Sequence, residues 1–192
     1  MRISGGQLKG RKTVVSRKVF AGKNDRSELR PTSAKVREAL FDILRNDIGN
    51  ASFLDLYAGT GTIGLEALSR GAARALLVEN DSVRCRAIQD FIDRTGLAGK
   101  AVVYKQPAAE FLKRTSLPGS SFDIVFADPP YASPETAEIP HLVGGSDILK
   151  QGGCLVIEHS SKAEMPAEAG LLQLVKKYRY GDTMLSLYRK GK

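Results

Sequence analysis

The sequence predicts an α/β fold: a doubly wound, mostly parallel sheet with one antiparallel strand at its side and a small N-terminal β-hairpin extension. Three observations predict it. Apolar runs at 53–57, 75–78, 101–104, 123–127 and 154–157 alternate with segments of helical periodicity. Continuous apolar runs without polar alternation mark strands buried on both faces, as in a parallel sheet. A glycine-rich turn, Asp55-Leu-Tyr-Ala-Gly-Thr-Gly61, follows the first run. Finally, two β-prone segments, 171–178 and 184–189, are separated by Gly181-Asp182. That link is too short for a crossover helix, so the pair is antiparallel.

Residues 1–30 carry Gly5-Gly6, Gly10 and Gly22 between the short β-prone pieces Thr13-Val-Val15 and Val19-Phe20. They read as an irregular hairpin or arm without a core of its own. Pro31 opens a helix capped by Thr32 or Ser33, and Val36, Ala39, Leu40, Ile43 and Leu44 make one buried stripe before Gly49-Asn50 ends it. Further helices are expected near 62–70, 82–95, 107–114 and 135–149. In the second of these, Val83, Ala87, Ile88, Phe91 and Ile92 form the inner face, and Gly96 is the stop. Residues 31–192 thus form the main domain, with 1–30 appended to it.

The chain of 192 residues suits one compact domain. Its start resembles no signal peptide, and no apolar run approaches the ~20 residues of a membrane span, so a cytoplasmic protein is expected. Cys85 and Cys154 lack metal-ligand spacing and read as free thiols of a reducing compartment. The charge is one-sided. Residues 1–45 carry 12 Lys and Arg against 4 Asp and Glu, whereas 46–192 carry 17 of each sign. Such a block points to a polyanion, and nucleic acid is the natural partner. Arg2, Lys9, Arg11, Lys12, Arg17, Lys18, Arg30 and Arg37 are the candidate RNA contacts.

Gly59-Thr-Gly-Thr-Ile-Gly64 satisfies the dinucleotide pattern G-x-G-x-x-G. Glu79, at the end of the next run, stands where an acidic residue grips ribose hydroxyls, which a dinucleotide and S-adenosyl-L-methionine share. Asp55 discriminates between them. A carboxylate four residues before the first glycine opposes a pyrophosphate but suits the cationic amino end of S-adenosylmethionine. The plainer alternatives are a helix-packing role for Gly64, a loop-bracing role for Asp55 and a helix start at Glu79-Asn80-Asp81.

Asp128-Pro129-Pro130-Tyr131 ends the fourth run, at the carboxyl edge where open α/β sheets bind ligands. The prolines fix φ and stiffen the turn, aiming its carbonyls. The exocyclic amine of a nucleobase is a poor nucleophile. Asp128 and the Pro129 carbonyl can accept its two N–H groups and orient its lone pair, while Tyr131 stacks on the base. The pattern therefore points to amine methylation without a covalent enzyme intermediate. Neither histidine supports a hydrolase: His141 and His159 accompany no Ser or Cys nucleophile motif. Glu158-His159 lies at the carboxyl edge, where it could line the pocket, but an ordinary strand end is the favoured reading.

On these residues, together with Arg2-Ile-Ser-Gly-Gly6, Gly10-Arg-Lys12, Arg30-Pro-Thr32, Val36-Arg-Glu-Ala-Leu-Phe41, Leu65-Glu-Ala-Leu-Ser-Arg-Gly71 and Tyr180-Gly-Asp-Thr183, the chain resembles the RsmD family of bacterial 16S rRNA guanine-N2 methyltransferases. The resemblance implies a Rossmann-like methyltransferase fold and S-adenosyl-L-methionine as donor. It implies a guanine of 16S rRNA as acceptor, on an assembled or nearly assembled small ribosomal subunit, with the N-terminal hairpin helping to bind rRNA. The amine-orienting and stacking roles fall to Asp128, Pro129, Pro130 and Tyr131. The cofactor roles fall to Asp55, Tyr57, Ala58, Gly59, Gly61, Glu79, Asn80, Gln106 and Ala108. Where methyltransferases often place an acidic residue to meet adenine, this chain has Gln106-Pro107-Ala108. No metal is expected, and the protein is expected to be a monomer. The competing functions are an adenine-N6 DNA methyltransferase, for which no 60-residue target-recognition block is present, and a non-catalytic RNA-binding assembly protein.

Overall fold

The computed structural model describes residues 2–13, 32–113, 121–130 and 134–191. Arg17, Lys18, Arg30 and Tyr131 lie outside the described residues, as does most of the expected hairpin. Strands β1 (Ser52–Asp55), β2 (Arg74–Glu79), β3 (Ala101–Lys105), β4 (Phe122–Ala127) and β5 (Leu149–Ser160) are joined in parallel, in the order β3-β2-β1-β4-β5. The switch of winding direction falls between β1 and β4. Beyond β5 the sheet continues through β8 (Thr183–Lys190), β7 (Leu172–Tyr180) and β6 (Glu168–Ala169), each antiparallel to its neighbour.

The expected hairpin of the last two long strands forms, and Gly181-Asp182 turns it. Its second arm, not its first, pairs with β5. The strand β6 was not anticipated, because two residues are too few to show a period.

Helices α1 (Ala34–Ile43), α2 (Thr62–Ser69) and α3 (Ser82–Thr95) cover one face of the sheet; α4 (Ala108–Leu112) and α5 (Ile139–Gly144) cover the other. Ser33 caps α1, its Oγ accepting from the Val36 N–H at 3.2 Å. Such a cap contributes on the order of 1 kcal/mol. Arg37 and Phe41 are also buried, so the apolar stripe of α1 is wider than its periodicity suggests. The helix stops at Ile43, well before Gly49-Asn50, and the chain turns from Leu44 onward. In α3, Ile88, Phe91 and Ile92 are buried, but Val83 is half exposed. The first turn of α3 is held instead by Asp81, whose Oδ1 accepts from the Val83 and Arg84 N–H groups. The helix expected over 135–149 is a 3₁₀ turn, Pro134–Ala137, followed by the short α5, because β5 already begins at Leu149.

Residues 2–13 are tied to the same core. Ile3 is fully buried among Val36, Leu40, Leu65 and their neighbours. A bridge between Arg2 and Lys12 and the pair Ile3 N–H to Arg11 C=O, Gly10 N–H to Ile3 C=O close a tight loop. Lys9, Arg11, Lys12 and Arg2 are exposed on it.

Candidate active site

Four carboxylates stand on one face of the sheet at its carboxyl edge. In β4, Ile124 and Phe126 pack on the side of α1 to α3, as do Cys154 and Val156 of β5. Side chains alternate along a strand, so Asp128 and Glu158, two residues further on, keep that face. Asp55 follows Phe53 on β1 and Glu79 follows Leu77 on β2 in the same way. The strand order β2-β1-β4-β5 then sets Glu79, Asp55, Asp128 and Glu158 in a row. With strands ~4.8 Å apart the row spans about 14 Å, enough for a nucleoside cofactor and a base side by side.

The glycine loop is strung between the strands flanking β1. The Leu56 N–H donates to Phe126 O at 2.9 Å and the Ala58 N–H to Val78 O at 2.9 Å. Gly59 and Gly61 adopt φ of 54° and 71°. A Cβ on Gly61 would lie 2.9 Å from Ile88, so the turn needs glycine on both conformational and steric grounds. Glu79, nearly buried, organises this loop: its Oε2 accepts from the Gly59 N–H at 2.7 Å, and its Oε1 from the Asp81 N–H at 2.8 Å and from Arg84 at 3.3 Å.

Asp55 is sealed in, 1% exposed. Its Oδ2 accepts from the Gly64 N–H at 3.0 Å, while Oδ1 is buried without a hydrogen-bond partner. Burial, with the Asp128 and Glu79 charges adding to it, pushes its pKa up to about 7. Loop bracing and a free oxygen therefore coexist in one carboxylate.

Thr32, just before α1, donates its hydroxyl to Asp128 Oδ2 at 3.1 Å. Burial raises the Asp128 pKa, against the opposing effect of that hydroxyl. Glu158 is raised by burial and then by the charge of Asp128, with Thr32 again opposing. Glu158 is 3% exposed and its Oε2 has no hydrogen-bond partner. Read from sequence as an ordinary strand end, it is in fact the neighbour of Asp128. His159, on the opposite side of β5, does behave as a strand-end residue, bonded to Ser160 O and Ser186 Oγ, and burial lowers its pKa.

The remaining expected residues fall around the loop. Ala58 is buried and Tyr57 half-buried, Pro129 is buried and Pro130 exposed, and Asn80 is exposed. The Gln106 N–H donates to Glu79 O at 3.1 Å, its side-chain Nε2 is buried without a partner, and Ala108 is buried at the start of α4. Arg37 must be removed from the candidate RNA contacts. It is 6% exposed; its Nε lies 2.9 Å from Glu66 Oε2, off the hydrogen-bond axis, and its Nη2 donates to Arg2 O at 3.2 Å. A buried carboxylate on α2 has claimed its charge.

A family model described as "Conserved hypothetical protein 95", that of the RsmD proteins, matches residues 1–189. The chain belongs to this family. Within the RsmD family, ribosomal RNA small subunit methyltransferase D of Escherichia coli strain K12 is 35% identical over 191 residues, covering 99% of this chain and 90% of that protein. YlbH of Bacillus subtilis is 32% identical over 190 residues, 99% of each chain. The solved structure of yhhF from Escherichia coli superposes with a TM-score of 0.83 at 33% identity, covering 100% of this chain and 98% of that one. An RNA methyltransferase from Salinibacter ruber, solved with S-adenosyl-L-homocysteine, has the same fold at 13% identity and a TM-score of 0.63 over 84% of this chain.

Proposed function

We propose that this protein transfers a methyl group from S-adenosyl-L-methionine to the exocyclic N2 amine of a guanine in 16S rRNA. It acts as a cytoplasmic monomer, without a metal, on an assembled or nearly assembled small ribosomal subunit. One observation carries the reading: the row of carboxylates beside the glycine loop, which suits a cationic cofactor and opposes a pyrophosphate. The RsmD family membership supports the rRNA substrate, through the name of the Escherichia coli relative.

The residues present fit the cofactor. The buried Asp55 Oδ1 lacks a donor and would meet the ammonium group. On Glu79, two donors already occupy Oε1, so Oε2 keeps the room for a ribose hydroxyl. The Gln106 amide offers both a donor and an acceptor to the adenine edge. Bound there, S-adenosylmethionine supplies an electrophilic methyl group. Asp128 and the Pro129 carbonyl hold the two amine N–H groups, and Tyr131 stacks on the base. Transfer of that methyl would leave S-adenosylhomocysteine and a nitrogen with one proton too many, which Asp128 would take. Its raised pKa makes it a better proton acceptor than an exposed aspartate.

Labelled cofactor incubated with small subunits lacking the modification tests this reading. Label should appear in 16S rRNA as N2-methylguanosine. Label in adenines of duplex DNA would establish the DNA methyltransferase, and label in neither would leave the RNA-binding assembly protein.

A further inference from the structure

Glu158 presents a carboxyl that the protein leaves unfinished. It is 3% exposed, its Oε2 has no hydrogen-bond partner, and it lies one strand beyond Asp128 on the same face. A buried polar atom without a partner is costly, so a ligand that supplies one is favoured. In the strand order Glu79 and Asp55 occupy the cofactor side, which leaves Glu158 on the acceptor side of Asp128. The charged groups acting on the pair are carboxylates: each other, then Asp55, with Glu79 further along and already engaged by Arg84. Asp128 is partly exposed and Glu158 is buried beside it, with the Thr32 hydroxyl donating to Asp128; burial and the repulsion between the two carboxyls favour a state in which one keeps its proton.

Resting on guanine-N2 methylation as the function, we propose that Glu158 selects guanine, its neutral carboxyl pairing with the ring lactam while Asp128 holds the amine. A carboxylic acid and a lactam are mutually complementary. The acid O–H donates to guanine O6, and its carbonyl oxygen accepts from N1–H. The next donor along the same edge is the N2 amine, which falls to Asp128. The edge of guanine reads acceptor, donor, donor; the singly protonated pair reads donor, acceptor, acceptor. Adenine has no such lactam. Glu158 is thus a specificity residue for the acceptor base.

2-Aminopurine isolates this contact, because it keeps the amine at C2 and lacks both O6 and N1–H. Small subunits are reconstituted from rRNA carrying either guanine or 2-aminopurine at the methylated position. Wild-type protein should methylate guanine and discriminate against 2-aminopurine by about 10²-fold or more, since a site built to hydrogen-bond a group rejects analogues that lack it. Glu158→Ala should bring the two rates to within about 10-fold of each other by slowing guanine. Glu158→Gln should retain most guanine activity, because an amide pairs with a lactam as an acid does. Wild-type preference for guanine should fall as pH rises past about 8, where Glu158 loses its proton, and that of Glu158→Gln should not. S-adenosylhomocysteine affinity, unchanged in both variants, checks the fold. Equal wild-type rates on guanine and 2-aminopurine, undiminished discrimination in Glu158→Ala, or a Glu158→Gln variant inactive on guanine while still binding the cofactor product would each overturn the proposal. No methylation of guanine by the wild type would instead overturn the function on which it rests.

Discussion

The carboxylates of the candidate site differ in how visible they are from sequence. Asp128 announces itself through the two prolines and the tyrosine that follow it, and Glu79 through its spacing from Gly59. Glu158 is one acidic residue after an apolar run; only the pairing of Ala127 with Ile157 across β4 and β5 shows what it faces. Arg37 was misjudged for the converse reason: a cation in a basic block looks free until Glu66 is found beneath it. Asp128→Ala should leave S-adenosylmethionine affinity within about threefold and reduce single-turnover methylation by ~10² or more, the scale of losing one preorganised polar group. In the proposed function Asp55 serves the cofactor half of the site. Its carboxyl must be ionised to hold an ammonium group, and burial puts its pKa at about 7. Titration calorimetry should therefore show cofactor affinity weakening as pH falls below about 7, and Asp55→Asn should bind weakly with a flatter profile. The same shift acts on folding. The folded pKa lies above the unfolded one, so this contribution to stability is intact below the unfolded value of ~4 and lost as pH rises through 7. At pH 8 Asp55→Asn should raise the melting temperature of the cofactor-free protein.

Among elements, the strands were legible to within two or three residues at most of their ends, because burial on both faces leaves an uninterrupted apolar run. Helix ends were less so: α1 and α5 stop where the chain must turn back to a strand, a constraint set by tertiary distance. The docking of residues 2–13 on α2 was not legible, since it rests on buried Ile3, on Ser69 and above all on one buried carboxylate. Glu66 is fully buried and accepts from the Ser4 N–H at 3.2 Å, from the Ser4 hydroxyl, and from Arg70 Nη2 at 2.8 Å, with Arg37 beside it. Removing one partner of a buried ion pair typically costs about 3–5 kcal/mol, because the remaining charges are stranded. Glu66→Ala should lose stability on that scale in urea denaturation. Gly6 offers a milder probe of the same contact. Its φ is 75° and an added Cβ would collide with Ser69 O, so Gly6→Ala should speed proteolysis within residues 2–13 while the sheet stays folded.

For the whole molecule, the cations of residues 2–13 are set apart from the candidate site. The helix α2 begins at the catalytic edge with Thr62 and ends at Ser69, about 10 Å away. The loop bearing Lys9, Arg11 and Lys12 is bound at that far end, through Ser69 O to the Gln7 N–H and Ser69 Oγ to the Leu8 N–H. Under the proposed function, this loop is placed to meet backbone flanking the target base. Replacing these three residues by serine should weaken subunit binding and reduce the slope of log affinity against log salt by about 2, each phosphate contact on single-stranded RNA contributing ~0.7. Methylation at saturating subunit should be unchanged, and an unaltered salt slope would remove the loop from the interface. The sheet has a different long-range dependence. Because β8 lies between β5 and β7, residues 183–190 form an interior strand of the sheet although they are translated after both neighbours. A nascent chain that has not yet delivered them holds two unpaired edges, and Glu158 lacks the Leu185 pairing that sets its strand. Fragments cut before Thr183 are then exposed to edge-to-edge aggregation. During synthesis the strand that pairs with the Glu158 end of β5 is therefore the last to be delivered.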